Sequence, residues 1–323
     1  MLIFIGPNRQ RGNVHGFSVF PDAPAYKHKT YSWLFKTRRL PSATYIFTFI
    51  DRLHPRERRL AAKIYHHINA AGDGFKALND PALAKNRYRL LRTLHDEGIN
   101  QFNAYLASEM PKPKRFPVFV RNLSVSLPPL TELLENQDAL DRALIDLEQQ
   151  SEPLDDLVVI EFCAEPFHGE FYAKLASYRI DQTISFNMML FDEKWYVKYR
   201  QVDHMPPGAN AFEAKLMQEN AFQDEVRRVF DLANIEYGRV DFALVGGRPQ
   251  FYEINFHPHF TSSEFASKDP QRLANVTLAA QRRLDALNQL DQHSNAKPIE
   301  NIADPEITAF RLRPWRNFAP QRY

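Results

Sequence analysis

The feature that most constrains this chain is a predicted β-hairpin in its C-terminal half. Two runs, residues 240–244 and 250–254, are joined by Gly-Gly-Arg-Pro, and this turn chemistry predicts antiparallel strands. Because side chains alternate along a strand, Glu253 and Asn255 share one face, and Asp241 on the partner strand can point to that face. Oxygen donors of this kind suit a hard cation such as Mg²⁺. The pattern therefore predicts a metal site at Asp241, Glu253 and Asn255.

The alternative interpretation is a surface hairpin with scattered acidic residues. Apolar residues occupy neighbouring positions on both strands, namely Phe242, Leu244, Phe251 and Ile254. They place the acids at a buried edge, where carboxylates would be costly without a cation. This burial favours the metal site.

Length and charge restrict the classes of protein that remain. With 323 residues, the chain can form two or three lobes. A formal net charge of +2 gives no overall field that would attract nucleic acid. No apolar run approaches the roughly 20 residues of a membrane span. The one cysteine, Cys163, excludes an internal disulfide and fits a reducing compartment. We expect a cytoplasmic protein that binds neither nucleic acid nor membrane.

Hydrophobic periodicity predicts a mixed α/β (α+β) fold in four segments. The predicted strands occupy residues 2–5, 44–50, 116–120, 157–160, 171–184, 194–198, 240–244 and 250–254. The predicted helices begin near Pro55 and Pro81 and cover residues 130–147, 212–233 and 271–287. The expected segments are an N-terminal α/β lobe at 1–80, a second lobe at 81–163, a third lobe at 164–290, and a tail at 291–323 that wraps the surface or is mobile.

The hairpin also carries a resemblance. Its flanking sequences, Tyr-Gly-Arg-Val-Asp-Phe and Tyr-Glu-Ile-Asn, resemble the terminal motif of the ATP-grasp superfamily. That superfamily includes D-alanine–D-alanine ligases, glutathione synthetases and ligases that add glutamate to ribosomal protein tails. Other stretches resemble its opening helix, its "PVVVK" strand, the helix that follows and the adenine-binding hinge, in the same order: residues 86–90, 116–121, 131–147 and 158–163.

The resemblance spans residues 79–260 and implies an ATP-grasp fold with an N-terminal pre-ATP-grasp lobe. Residues 81–163 would form the small lid subdomain, and residues 164–290 the subdomain that binds metal and phosphate. The implied cofactors are ATP and one or two Mg²⁺ ions. Relatives are often dimers or tetramers, which leaves a homo-oligomer open.

The resemblance also implies roles at the reacting centre. Asp241, Glu253 and Asn255 would hold Mg²⁺ across the ATP phosphates. Arg239 would lie against an acyl phosphate and a tetrahedral intermediate, where a fixed guanidinium stabilises developing negative charge. Lys174 would help to neutralise the transferred phosphoryl group. For Arg239 and Lys174 the alternative is an ordinary solvated charge.

The nucleotide itself would meet a second group of residues. The backbone of Glu161, Phe162 and Cys163 would face the adenine edge. Glu170 would accept hydrogen bonds from the ribose hydroxyls, and Lys198 would assist Lys174. For Glu170 and Lys198 the alternative is a loop or strand-edge charge without a role in binding.

The sequence departs from the superfamily pattern in three places. Arg89 and Arg121 stand where many relatives have two phosphate-binding lysines, and arginine binds phosphate in a forked geometry. The loop at residues 122–129 contains no glycine, whereas relatives often close a glycine-rich loop over the phosphates. His257 and His259 replace part of the usual sequence after the last metal ligand. They would bind a carboxylate, act as a base, or have no role.

The function that follows from the resemblance is an ATP- and Mg²⁺-dependent ligase. It would join a small-molecule or peptide carboxylate to an amine, or to a thiol, through an acyl phosphate. The alternatives are a phosphotransferase on the same fold and a catalytically weak protein that binds nucleotide without turnover. The two arginines and the loop without glycine favour the last alternative, and the complete Asp–Glu–Asn set argues against it.

Overall fold

The computed structural model describes residues 1–8, 16, 20–124, 127–167, 169, 171–197, 206–260, 269–291 and 296–312. The strands are β1 (Leu2–Ile5), β2 (Tyr26–Lys29), β3 (Arg39–Leu40), β4 (Ala43–Phe47), β5 (Phe75–Leu78), β6 (Ala104–Leu106), β7 (Val118–Asn122), β8 (Leu157–Glu161), β9 (Pro166–Phe167), β10 (Phe171–Ile180), β11 (Thr183–Asp192), β12 (Tyr237–Val245), β13 (Arg248–Asn255) and β14 (Ile299–Glu300). The α-helices are α1 (Tyr31–Lys36), α2 (Pro55–Ala70), α3 (Arg87–Asp96), α4 (Gln137–Gln149), α5 (Ala209–Glu219), α6 (Gln223–Ala233), α7 (Pro270–Leu290) and α8 (Pro305–Leu312).

The N-terminal lobe is built on a parallel sheet with strand order β2-β1-β4-β5. Buried aliphatic and aromatic residues along β1 and β4 pack against apolar residues of α1 and α2. Since all four strands run in the same direction, their carboxyl ends meet at one edge, where α/β proteins commonly bind ligands. Phe49 and the 3₁₀ turn Ile50–Arg52 follow β4 at this edge.

The third lobe contains the antiparallel sheet β11-β10-β12-β13, with β9 paired to β10. The prediction of one strand over 171–184 is wrong, because β10 and β11 form a hairpin that turns at Asp181 (φ 53°). Residues 194–196 are bends rather than a strand, and Lys198 lies outside the described residues.

The prediction of one helix over 212–233 is also wrong. Helix α5 ends at Glu219 and α6 begins at Gln223. Asn220 and Phe222 adopt positive φ values of 49° and 63°, which a continuous α-helix does not accommodate. Because the helical spacing of apolar residues continues across this break, the sequence pattern predicted a single helix.

The second lobe contains the antiparallel sheet β6-β8-β7. One face packs against Leu140, Leu144 and Leu147 of α4. The helix predicted at 130–147 begins only at Gln137, where the Asn136 side chain caps it by accepting a 3.0 Å hydrogen bond from the Ala139 N–H. Before the cap, Leu134 forms an isolated antiparallel bridge to Val118 of β7 instead.

The C-terminal segment packs partly on the N-terminal lobe. In α8 the Phe310 ring lies 5.4 Å from the Phe35 ring, and Arg311 Nη2 donates to the Thr37 carbonyl at 2.6 Å. The described part of the predicted tail therefore contributes to the core of that lobe. Among the described helices, none combines the length and apolar character that crossing a bilayer requires.

Asn79 joins the N-terminal lobe to the hairpin. Its buried side chain donates to the carbonyls of Phe47 and Tyr237, each at 2.9 Å. Its Oδ1 accepts from the N–H groups of Glu236 and Tyr237 at 2.8 and 2.9 Å. These bonds fix the start of β12 against the carboxyl edge of the parallel sheet, so that the hairpin has a defined position relative to the N-terminal lobe.

Replacing Asn79 should destabilise the protein strongly. Asn79→Ala removes four side-chain hydrogen bonds, leaves buried backbone groups unpaired, and places alanine at φ 67°. We expect the free energy of unfolding to fall by about 4 kcal/mol in urea denaturation. Asn288→Ala is the control, since it removes one exposed hydrogen bond to the Asp22 carbonyl. Equal losses in the two variants would contradict the role of Asn79.

Candidate active site

The hairpin β12–β13 presents its polar residues on one face. In its register Asp241 is opposite Glu253 and Arg239 is opposite Asn255. Gly238 permits the close approach of β13, because a Cβ there would meet the Asn255 carbonyl at 3.0 Å. The structure thus brings the three predicted metal ligands together with Arg239. All four line a cavity of about 330 Å³ between the hairpin and the β6-β8-β7 sheet.

Asp241 is buried and is held by two cations. Arg239 forms a two-pronged ion pair with it, with Nε–Oδ1 and Nη2–Oδ2 distances of 2.8 and 3.0 Å. The Lys174 Nζ lies 3.5 Å from Asp241 Oδ2. Although burial alone would lower the pKa of Arg239, the Asp241 charge outweighs it and raises that pKa above its ordinary value. Arg239 is therefore a permanently charged, rigidly placed group.

Glu253 is held by a second pair of cations. Arg87 forms a very short ion pair with its Oε2, and Arg121 Nη2 lies 3.5 Å from the same oxygen. Burial would raise the pKa of Glu253, but the charges of Arg87, Arg121 and Lys174 hold it well below its ordinary value. Burial and the Arg87 charge lower the pKa of Arg121 to about 10, so Arg121 stays charged at neutral pH.

The choice of Arg89 as a phosphate-binding residue requires a correction. Arg89 lies on the exposed side of α3 and lines neither cavity of the site. Arg87, two residues earlier, points the other way, since residues two apart on a helix do not share a face. Its Nη1 also donates to the carbonyls of Asn122 and Leu123 at 2.6 and 3.0 Å. The structure therefore places Arg87, and not Arg89, beside Glu253, and the apolar spacing of α3 was the signal in the sequence for its inward face.

The predicted adenine hinge lies at the other end of the first cavity. The Glu161 N–H donates to the Asn103 carbonyl and the Phe162 N–H to the Pro117 carbonyl. Both donors are therefore used in hydrogen bonds within the protein. The Glu161 carboxylate is buried and accepts hydrogen bonds from Tyr105 and from backbone N–H groups. The Cys163 N–H donates no backbone hydrogen bond within the described ranges.

Aromatic side chains surround this end of the cavity. The Trp195 ring lies 4.8 Å from Phe119 and 5.7 Å from Phe162. Neither Trp195 nor Phe119 was predicted to line the site, because only the tertiary fold brings their two segments together. Burial raises the pKa of the Cys163 thiol, which makes it a poor nucleophile. Glu170, predicted to bind ribose, lies outside the described residues, as does Lys198.

A second cavity, of about 220 Å³, adjoins the first. It lies between the carboxyl edge of the N-terminal sheet and residues 254–259, and Arg239, Glu253, Asn255 and His259 border both cavities. His257 lines this second cavity, with its ring 4.9 Å from Phe49. Burial and the Arg239 charge lower the pKa of His259, so that its imidazole is neutral at physiological pH.

Two residues outside the cavities fix the segment that carries the histidines. The Tyr178 hydroxyl donates a very short hydrogen bond to the His259 carbonyl. Arg283 Nη2 donates to the Phe260 carbonyl at 3.2 Å, and its guanidinium lies over the rings of Tyr178 and Phe260 at 4.9 and 5.1 Å. These contacts hold the loop in place, although neither Tyr178 nor Arg283 lines the two cavities.

The donor chemistry of the hairpin face fits Mg²⁺. Two carboxylates and one amide oxygen lie together, and Mg²⁺ selects oxygen donors and shares them with phosphates. Within the described residues, no three histidine, cysteine, aspartate or glutamate side chains form a metal-binding group. The Asn255 amide and oxygens of a nucleotide would therefore have to complete the set begun by Asp241 and Glu253.

Comparison with solved structures identifies the fold as that of the ATP-grasp proteins, which confirms the prediction. The structure of the ATP-grasp ligase PsnB complexed with minimal precursor aligns with a TM-score of 0.50 and 10% identity, covering 90% of this chain and 98% of that chain. D-alanine–D-alanine ligase from Bacillus anthracis, complexed with ATP, gives a TM-score of 0.49 and 14% identity, covering 90% and 95%. The sequence matches no protein-family model and no curated protein.

Substituting the two arginines of α3 should separate their roles. Arg87→Gln leaves Glu253 in a buried site with one weaker partner, and we expect a loss of about 3 kcal/mol in the free energy of unfolding, measured in urea. Arg89→Gln, its matched control on the exposed side, should change that free energy by no more than about 0.5 kcal/mol. A larger loss of unfolding free energy in Arg89→Gln than in Arg87→Gln would contradict the placement of Arg87 as the partner of Glu253.

The Glu253 ion pairs should also make stability depend on pH. A folded-state pKa below the unfolded one gives stabilisation that is complete above the ordinary value of 4.5 and declines as the pH falls toward the folded-state pKa. The stability difference between the wild-type protein and Glu253→Gln should therefore shrink from about pH 6 to about pH 3 in urea denaturation. A constant difference over this range would show that the ion pairs do not lower the pKa of Glu253.

Proposed function

We propose that the chain is an ATP- and Mg²⁺-dependent ligase that joins a carboxylate to an amine, or to a thiol, through an acyl phosphate. One observation carries this proposal: a single hairpin face presents Asp241, Glu253 and Asn255 where two cavities meet. The first cavity has an aromatic end suited to a base, and the second reaches the N-terminal lobe. A nucleotide in the first cavity would direct its phosphates toward a substrate in the second.

The ionic groups of the hairpin face support this assignment. Arg87, Arg121, Lys174 and Arg239 supply positive charge around the carboxylates, and such clusters bind and orient phosphoryl oxygens. Asp241, Glu253 and Asn255 would hold Mg²⁺, which when bound neutralises phosphate charge. Arg239 pairs with both oxygens of Asp241, so it would release at least one of them when Mg²⁺ binds and would then be free to contact phosphoryl oxygens.

The proposed chemistry has two steps. An oxygen of the substrate carboxylate attacks the γ-phosphorus of ATP, and the bond from that phosphorus to the ADP oxygen breaks. The nucleophile then attacks the acyl carbon, and the carbon–oxygen bond to phosphate breaks. His259 borders both cavities and is neutral, so it can accept the proton that an amine loses. Arg239 faces the oxygens that gain negative charge in both steps, and Lys174 assists in the first.

Nucleotide binding through the hairpin face is tested by thermal denaturation. ATP with Mg²⁺ should raise the melting temperature, and ATP with a chelator should not. Asp241→Asn should abolish the increase, because it removes a carboxylate from the metal-binding face. Asp231→Asn is the matched control, since Asp231 also pairs with an arginine, Arg179, but lines neither cavity. If both variants keep the full increase, the hairpin face does not bind the nucleotide.

Turnover distinguishes the ligase from the two alternatives. With ATP, Mg²⁺, hydroxylamine and a panel of carboxylic acids, a ligase releases ADP and forms a hydroxamate. A phosphotransferase that acts on a hydroxyl group releases ADP without hydroxamate. A protein that binds nucleotide without turnover does neither, and either of these last results would overturn the ligase proposal.

A further inference from the structure

Arg52 is a cation of the second cavity that the proposed chemistry does not use. It ends the 3₁₀ turn Ile50–Arg52 at the carboxyl edge of the N-terminal sheet and lines the second cavity. Its guanidinium carbon lies 5.0 Å from the centre of the Phe49 ring, and its Nε donates to the Ser124 carbonyl at 3.2 Å. The ring and the carbonyl fix the orientation of the guanidinium fork.

The terminal nitrogens of Arg52 are available to a ligand. They donate no hydrogen bond to the described residues, and no described carboxylate lies within ion-pairing distance of the guanidinium. The other two arginines of this cavity differ, because Arg87 is paired with Glu253 and Arg239 with Asp241. Arg52 is thus the arginine of the described cavity lining whose charge is not already matched by an ion pair.

The remaining charged groups around the cavity favour a monoanionic ligand at Arg52. Asp51 precedes it and also lines the cavity. Burial raises the pKa of the Asp51 carboxyl, against the opposing charges of Arg52 and Arg87. A carboxylate matches the planar guanidinium fork through two parallel hydrogen bonds, whereas a dianionic phosphate would bring more negative charge close to Asp51.

We propose that Arg52 determines acceptor specificity by binding a carboxylate of the nucleophilic substrate in the second cavity. The substrate class is an amine that carries a carboxylate away from the reacting nitrogen. This inference rests on the proposed function, because it assigns the second cavity to the acceptor. Arg52 recruits and orients the acceptor, and it takes no part in phosphoryl transfer.

The test uses the full-length protein saturated with Mg²⁺ and a non-hydrolysable ATP analogue. Ligand-observed NMR titrations with glycine, β-alanine and glutamate supply carboxylate-bearing amines, propylamine lacks an anionic group, and phosphoethanolamine carries a phosphate. We expect at least one carboxylate-bearing amine to bind. Its affinity should fall at least about ten-fold in Arg52→Gln and less in Arg52→Lys, which keeps the charge but not the fork. Propylamine should bind both proteins equally weakly.

Arg56→Gln provides the matched control. Arg56 also lies over a phenylalanine ring, that of Phe310 at 5.9 Å, but it lines neither cavity, and its replacement should leave acceptor affinity unchanged. The inference is overturned if no carboxylate-bearing amine binds the wild-type protein, if Arg52→Gln binds it equally well, or if only phosphoethanolamine depends on Arg52. Thermal stabilisation by the nucleotide analogue with Mg²⁺ is measured in parallel. If the wild-type protein shows no such stabilisation, the proposed function itself is refuted. If it is stabilised but the acceptor results are negative, only the role of Arg52 is refuted.

Discussion

The interaction on which the site depends is the repulsion between two carboxylates. Asp241 and Glu253 face each other across the β12–β13 ladder, and like charges in such cross-strand positions destabilise a sheet. Both are largely removed from water, which increases the cost. The hairpin is therefore stable only because cations, most of them from other parts of the chain, lie beside the two carboxylates.

Those cations come from four different elements. Arg87 is on α3, Arg121 on β7, Lys174 on β10 and Arg239 on β12 itself. Each lies within 4 Å of one of the carboxylates, so the second and third lobes must pack together for the charges to be matched. Four cations and two carboxylates leave an excess of two positive charges. This excess suits a polyphosphate, and it ties the packing of the lobes to the chemistry of the cavity.

Sequence reasoning recovered the parts of this arrangement that depend on local pattern. Strand alternation correctly placed Glu253 and Asn255 on one face. Asp241 lies opposite Glu253 because the register shifts by one residue between Asp241 and Phe242, and the turn alone would have paired Asp241 with Tyr252. The resemblance supplied the fold. The apolar spacing did not reveal the break between two helices at Asn220 and Phe222, where positive φ values interrupt the run. It also did not lead to Arg87 rather than Arg89 as the arginine on the inward face of its helix. Arg52 and Trp195 reach the cavities only through contacts between distant segments, which no local pattern encodes.

The central claim is that the face shared by Asp241, Glu253 and Asn255 binds a divalent cation together with ATP. Its most direct test is a crystal structure with a non-hydrolysable ATP analogue and Mn²⁺, in which anomalous scattering locates the ion. We expect an anomalous peak beside the triphosphate, within coordination distance of an oxygen of Glu253 and of an oxygen of Asp241 or Asn255. A bound nucleotide whose ion lies away from this face, with Arg239 still closing both oxygens of Asp241, would contradict it.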